Sequence, residues 1–254
     1  MKLAIISDIH GNSEALRTVL EDIKQRDVEG IICLGDIVGY GPDPATCVSL
    51  VSEHCMWSLM GNHDFSVLYE PTNFNPGAEQ AAWWTRTQFE QEEDADVRKE
   101  RFSFFSRLRV RVRFGPDDKI IAVHGSPRRP VNEYIFPDDA IGGSLKIQQI
   151  FERVETCAVV GHTHVPGVFT DEPDFYSPDE LKGRFTFQPE EKVIINVGSV
   201  GQPRDNDPRA CYAVLDDEGV SFYRLPYNID VVADAIKAIP ELNDWLGDRL
   251  YEGR

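Results

Sequence analysis

The sequence predicts an α/β fold built of layered sheets, and two observations carry that expectation. Short apolar runs recur along the chain at residues 3–6, 30–34, 56–60, 120–123, 157–160 and 193–197, each followed by glycine or a polar turn. Runs of this length suit strands buried on both faces. Between them lie amphipathic segments that open with helix-start residues, so strands and helices alternate.

Each element has its own local signal. Asn12 and Ser13 are suited to cap a helix that buries Leu16, Val19, Leu20 and Ile23. Asp43 and Pro44 supply a cap and a first-turn proline ahead of Cys47, Val48 and Val51. Residues 144–154 form a third amphipathic segment, burying Leu145, Ile147, Ile150 and Phe151. Residues 71–108 lack any buried-strand run and read as a helical insertion placed to cap a site. The acidic "DEPDFYSPDELKG" at 171–183 reads as a surface excursion. "RVRVRF" at 109–114 alternates strictly and is joined by "GPDD" to 119–123, which predicts a hairpin whose arginines form a solvated edge. A second hairpin is expected over 211–225 and a helical segment over 231–250. With no repeat and no linker, residues 1–254 read as one domain carrying the insertion at about 71–108.

Composition narrows the class of function. Hydrophobic residues make up 41% and charged residues 27% of 254, an ordinary globular balance. The net charge of −17 argues against polymeric nucleic acid or an anionic membrane as partner, since both need basic surface. No stretch reaches the roughly 18 apolar residues of a membrane span. The apolar run after Met1 is too short for a signal-peptide core, so the expectation is that nothing is removed ahead of Asp8. The five cysteines are scattered, without a CxxC pair, and Cys33 and Cys157 lie inside apolar runs. They read as reduced thiols of a cytoplasmic protein.

The loops behind these strands carry the chemistry. Run 3–6 leads to Asp8-Ile9-His10, and run 30–34 to Gly35-Asp36. Run 56–60 leads to Gly61-Asn62-His63-Asp64, run 120–123 to His124, and run 157–160 to Gly161-His162-Thr163-His164. The carboxyl ends of strands are where α/β folds place ligand sites. Of the six histidines only His54 falls outside this pattern. His162 and His164, two residues apart, face the same way on extended backbone. Each motif alone is matched by a plain structural reading, a turn or a capped loop. Five in order, each behind a buried strand, are poorly explained by chance. If the ends converge, they hold too many ligands for one tetrahedral zinc. They suit two dications about 3.5–4 Å apart, bridged by a carboxylate and a hydroxide.

These motifs, Asp8-x-His10, Gly35-Asp36, Gly61-Asn62-His63-Asp64, His124 and Gly161-His162-x-His164, resemble those of the calcineurin-like metallophosphoesterases. The longer strings "SDIHGN", "GDIVGYGP" and "NVGSVGQPRD" are similar to the compact bacterial and archaeal phosphodiesterase branch and extend the likeness to about Asp205. The resemblance implies a four-layer α/β/β/α sandwich of two mixed sheets flanked by helices, with the metals at the edge between the sheets. It implies one metal on Asp8, His10 and His164, a second on Asn62, His124 and His162, and Asp36 bridging them. His63 would stand near the leaving group as general acid or transition-state stabiliser. The ions implied are two divalent transition metals, manganese first, with iron, nickel, cobalt or zinc as alternatives. Two dications and two carboxylates leave the site at about +2 before hydroxide binds, which attracts phosphate, and such ions bring a bound water's pKa to roughly 7.

One departure stands out. The eukaryotic phosphatases of the superfamily carry Gly-Asp-x-x-Asp-Arg-Gly, whereas here "GDIVGYG" has Gly39 and Tyr40 at the later Asp and Arg. The partner of His63 is left open, with Asp64 the nearest candidate or else a brace for its loop, and a protein phosphatase is disfavoured. Arg128 and Arg129 in "HGSPRRP" and Arg204 in "GQPRD" are candidate phosphate contacts, weighed against ordinary surface ion pairs. Trp83, Trp84 and Phe89 are candidates for stacking a base, weighed against core packing. The leading expectation is hydrolysis of small phosphodiesters or phosphomonoesters, nucleotides among them, by a metal-bridging hydroxide attacking phosphorus. The rival readings are a non-catalytic phospho-ligand-binding or scaffold protein on the same fold, and a nuclease, which the charge disfavours. The substrate, the metal pair and the oligomeric state are not legible.

Overall fold

A computed structural model describes residues 1–254. The first sheet is assembled from β1 (Leu3–Ile6), β2 (Gly30–Cys33), β3 (Cys55–Ser58), β9 (Arg184–Thr186), β11 (Ala210–Leu215) and β12 (Gly219–Leu225), in the order β3-β2-β1-β11-β12-β9. The second uses β4 (Arg111–Phe114), β5 (Ile120–Val123), β6 (Cys157–Val160), β7 (Gly167–Thr170), β8 (Asp174–Tyr176) and β10 (Val193–Asn196), in the order β4-β5-β6-β10-β7-β8. Both sheets are mixed. In the first, β1, β2 and β3 run parallel while β1 meets β11 antiparallel. In the second, β5, β6 and β10 run parallel while β4 and β7 are antiparallel to their neighbours.

The period-2 geometry of a strand explains the layers. Ile5 faces inward with Ile32, Leu34, Ala122, Val159, Ile195 and Ala213, filling the space between the sheets. Its neighbours Ala4 and Ile6 face outward, under α1 (Ser13–Ile23) and α2 (Pro44–His54). On the other outer face Val123, Ala158 and Val160 pack with Ile147, Ile150 and Phe151 of α6 (Leu145–Phe151). Burying each such aliphatic side chain contributes about 1.5–3 kcal/mol. The caps act as the sequence indicates, Asn12 accepting from the Ala15 amide and Asp43 from that of Thr46. The result is the expected helix/sheet/sheet/helix sandwich.

Several local expectations change. Strand β3 is the outermost of its sheet, so Met56 is 64% exposed and the run is buried on one side only. The 171–183 excursion is not mere surface loop, because Asp174–Tyr176 pairs with β7 as an edge strand. Leu145, expected on the buried face of α6, is exposed at the first position of that helix. The 231–250 segment breaks at Pro240 into α7 (Ile229–Lys237) and α8 (Trp245–Asp248), since proline cannot continue a helix. The insertion comprises α4 (Pro76–Glu90) and α5 (Ala95–Arg107). Within it Phe89 is fully buried in the core and Trp84 packs against a second apolar cluster, so neither is free to stack a base; Trp83 is exposed. No helix is long and apolar enough to cross a membrane.

Candidate metal centre

The register of the sheets brings the motifs together. Ile6 of β1 lies beside Cys33 of β2, so the loops bearing Asp8 and Asp36 leave the same edge side by side. Ala122 of β5 lies beside Val159 of β6, which does the same for His124 and His162. The two edges are tied across the sandwich where the His162 amide donates to Asp8 Oδ2 at 3.0 Å. Gly161 permits this approach, because a Cβ there would overlap Ser7 and Asp8.

The backbone of the site is strained. Asp8, His10, Asp36, His162 and His164 all sit at positive φ, between 49° and 68°. The two histidines of the Gly161–His164 motif are therefore on turning backbone past the end of β6, not on the extended segment their spacing suggests. Left-handed backbone costs about 1–2 kcal/mol per non-glycine residue. It persists where the surroundings over-determine it. Here the Asp8 amide donates to the Gly35 carbonyl, and the Ile9 and His10 amides both donate to that of Asp36.

Three of the histidine candidates have one ring nitrogen tied to backbone and the other aimed inward. His10 Nδ1 is 3.1 Å from the Val38 carbonyl, His124 Nδ1 is 3.1 Å from that of Leu34, and His164 Nδ1 is 2.5 Å from that of Gln202. A carbonyl only accepts, so Nδ1 carries the proton and Nε2 presents a lone pair inward. Yet His10 Nε2 lies 3.1 Å from His164 Nε2, and His124 Nε2 lies 3.1 Å from His162 Nδ1. Asp8 Oδ1 is buried with no hydrogen-bond partner, 3.2 Å from His164 Nε2. Asp36 gives Oδ1 to the His63 amide at 2.8 Å and leaves Oδ2 at 3.3 Å from His124 Nε2 and 3.7 Å from His10 Nε2. Asn62 Oδ1 and His162 Nε2 are also buried without partners. Converging lone pairs and orphaned oxygens at these distances call for cations between them.

Three groups of potential ligands emerge, each with its ligand atoms within 4.8 Å of one another: Asp8, His10 and His164; His10, Asp36 and His63; and Asp36, His124 and His162. Six of the seven ligand residues expected from the motifs therefore meet in one buried site, with Asp36 common to two groups; Asn62, next to His63 in sequence, is in none of the groups, and its buried Oδ1 has no partner. This donor set fits a metal centre.

Titration follows the same geometry. Burial works to raise the carboxyls of Asp8 and Asp36, but His164 beside the first and His124 and His63 beside the second outweigh it, holding both far below the usual range. Burial lowers His63 to about 4 and, helped by His124, His162 to about 3. His124 goes the other way, to about 9, because Asp36 overcomes the cost of burial. A proton on His124 is the metal-free substitute for a cation beside Asp36.

Around this centre the other candidates separate. Asp64 does not touch the His63 ring. Its Oδ1 accepts from the amides of Ile37 at 2.9 Å and Val38 at 3.4 Å, and its Oδ2 from that of Gly61 at 3.0 Å. It braces the Asp36 loop against the first turn of α3 (Asn62–Leu68), the helix that opens at Asn62. Burial and the charge of Asp36 lift its pKa to about 7. The Arg128 guanidinium is committed to Glu133 and Gln149 rather than to the centre. Arg204 by contrast stands at it, lying over the Tyr40 ring at 5.9 Å, with one amine on Gln202 and a buried Nε that has no partner.

Three aromatic residues escape the motif reading. Tyr134 stacks on His162 with centroids 3.8 Å apart and planes at 11°. Tyr40 and Phe74 pack against His63 at 4.4 and 4.6 Å. They come from loops without ligand spacing; Tyr40 lies near Asp36 and Tyr134 near Arg128 in sequence, but no such neighbour hinted at Phe74.

Comparison with known proteins agrees with this geometry. The chain is 35% identical over 258 aligned residues to an uncharacterised protein of Methanocaldococcus jannaschii, covering 99% of this chain and 98% of that one. The crystal structure of a metallophosphoesterase from Sphaerobacter thermophilus matches with a TM-score of 0.82 at 34% identity, over 100% of this chain and 99% of the other. A hypothetical protein from Pyrococcus horikoshii shares the fold, with a TM-score of 0.77 at 18% identity over 100% and 98% of the two chains. Residues 1–219 match the family described as the calcineurin-like phosphoesterase superfamily domain. With its two sheets, its converging ligands and this match, the chain belongs to the calcineurin-like phosphoesterase superfamily, the metal-dependent hydrolases of phosphoester bonds.

Proposed function

We propose that this protein is a dinuclear phosphoesterase that hydrolyses small phosphodiesters or phosphomonoesters, nucleotides among them, with two divalent transition-metal ions, manganese the first to test. The observation that carries the reading is Asp36, whose carboxylate groups with His10 and His63 on one side and with His124 and His162 on the other. Asp8, His10 and His164 would hold one ion and Asn62, His124 and His162 the other, with Asp36 common to both. Bound there, the ions would neutralise phosphoryl oxygens and supply a water-derived nucleophile near neutral pH. The chain's own groups do the rest. Arg204 offers an unpaired N–H to a phosphoryl oxygen. His63, neutral in its buried setting, donates a hydrogen bond to the leaving oxygen. Tyr134 covers the outer face of His162 and keeps water from that ligand. Net charge disfavours polymeric nucleic acid as substrate. Five free cysteines, four of them buried, favour a reducing compartment such as the cytoplasm.

The test is metal content of the purified protein measured alongside turnover of a phosphodiester, a phosphomonoester and a dinucleoside polyphosphate. Turnover should vanish with chelator and return with manganese. His63→Ala should lower kcat by about 10²–10⁴ with both ions retained. Protein loaded with two ions yet inert on all three substrates would favour the phospho-ligand-binding or scaffold reading instead.

A further inference from the structure

The imidazole of His63 is buried, and its Nδ1 has no hydrogen-bond partner. No carboxylate orients it, since Asp64 faces the backbone amides of Ile37 and Gly61. Rings do so instead. Tyr40 lies 4.4 Å away at 52°, Phe74 lies 4.6 Å away at 36°, and His10 meets it edge-on at 4.8 Å and 84°. On the remaining side is Gly39, at φ 91°, where any Cβ would overlap Nδ1. Packing alone therefore sets the rotamer.

Phe74 is delivered by the insertion, and its backbone is held. It precedes Asn75, whose side chain caps α4 by accepting the Ala78 amide at 2.9 Å, with Pro76 opening the helix. Its ring packs into the cluster of Tyr40, Ala78, Ala81, Val232 and Ile236. The position of Phe74 is thus tied to a 15-residue helix rather than to a free loop.

We propose that Phe74 is a positioning residue for phosphoester hydrolysis: with Tyr40 it clamps the His63 imidazole toward the leaving group, and presenting this ring is what the helical insertion does at the site. The inference rests on the catalytic role given to His63 above. Two rings packed against it at 52° and 36° restrict the plane of the imidazole without adding charge to it. Catalytic geometry is sensitive to this, because displacement of a reacting group by about 1 Å costs on the order of 10²-fold in rate. Phe74 is the informative member of the clamp, because Tyr40 also packs on the ligand candidate His10 whereas the only histidine ring Phe74 packs on is His63.

The experiment uses the full chain loaded with manganese and bis(4-nitrophenyl) phosphate as probe. Phe74→Ala should lower kcat by about 10–100-fold with KM within about threefold of the parent and metal content unchanged. Phe74→Tyr should return kcat to within about threefold. If the alanine variant is unstable, Phe74→Leu, which fills the space without a flat face, should show the same loss. Independently of activity, the His63 Cε1–H signal of zinc-loaded, ¹³C-histidine-labelled protein, assigned by its disappearance in His63→Ala, should shift or broaden in Phe74→Ala and not in Phe74→Tyr. A Phe74→Ala enzyme with parental kcat, or a tyrosine variant as impaired as the alanine one, overturns the clamp, as does loss of metal in step with loss of rate. If His63→Ala itself costs nothing, the catalytic role of His63 fails and the proposal fails with it, whereas a harmful His63→Ala beside a harmless Phe74→Ala removes the clamp alone.

Discussion

Asp36→Asn is the sharpest probe of the centre. Asparagine keeps the shape and can still accept the His63 amide through Oδ1, the bond that is 2.8 Å in the parent. Its amide nitrogen then replaces Oδ2, the atom 3.3 Å from His124 Nε2 and 3.7 Å from His10 Nε2. A donor-only nitrogen cannot ligate, and a unit negative charge is lost where two ligand groups meet. Opposite unit charges about 4 Å apart attract by about 4 kcal/mol at an effective dielectric near 20, which is a lower bound for a carboxylate facing a divalent ion. At about 1.4 kcal/mol per decade, the affinity for each ion should fall by about 10³-fold. Without metal, Asp36 no longer holds the His124 proton, so the chelated variant should be less stable than the parent at neutral pH by about 1–3 kcal/mol. Competition with a chromogenic chelator reads the affinity, and urea denaturation of chelated protein reads the stability. A variant that binds two equivalents of metal within tenfold of the parent would refute the shared-carboxylate argument.

Three further outcomes are expected. Asp64→Ala strands the buried amides of Ile37 and Gly61, so it should destabilise the protein by about 2–5 kcal/mol in urea denaturation; a loss below about 1 kcal/mol would mean that Asp64 braces nothing. Metal-free protein should be most stable near neutral pH, between the unfolded histidine value and the raised value of His124. On the acid side, the buried neutral His63 and His162, with folded values of about 4 and about 3, lose stability to an unfolded chain that takes up protons. On the alkaline side, the His124 proton held by Asp36 is given up as the pH climbs through about 9, so denaturation midpoints should fall again and His124→Gln should flatten that alkaline limb. Arg204→Ala should raise KM by about 10–100-fold, the size of a charged hydrogen bond, while Arg128→Ala, already satisfied by Glu133, should leave KM within about twofold.

Six of the seven expected ligand candidates, which the structure brings together, and the five strands ahead of them were readable because their rule is local. A buried strand is a short apolar run, and a ligand loop follows its carboxyl end, so Asp8, Asp36 and His162 announce themselves within a dozen residues. The part of Arg204 as against Arg128 was not readable, since both are arginines in polar loops and only the nearness of Glu133 separates them. The same holds for Asp64, whose three backbone partners belong to two loops.

By itself the chain's order of residues determined the layered α/β sandwich, the superfamily and the donors available for metal, because hydrophobic period and residue chemistry are properties of short segments. Only the tertiary structure decided what faces those donors. Sheet register made Asp36 common to two ligand groups, and packing between the insertion and the Asp36 loop enclosed His63 in rings instead of pairing it with a carboxylate. Such contacts join residues far apart in sequence, and their distances follow from how whole layers pack, which no local pattern encodes.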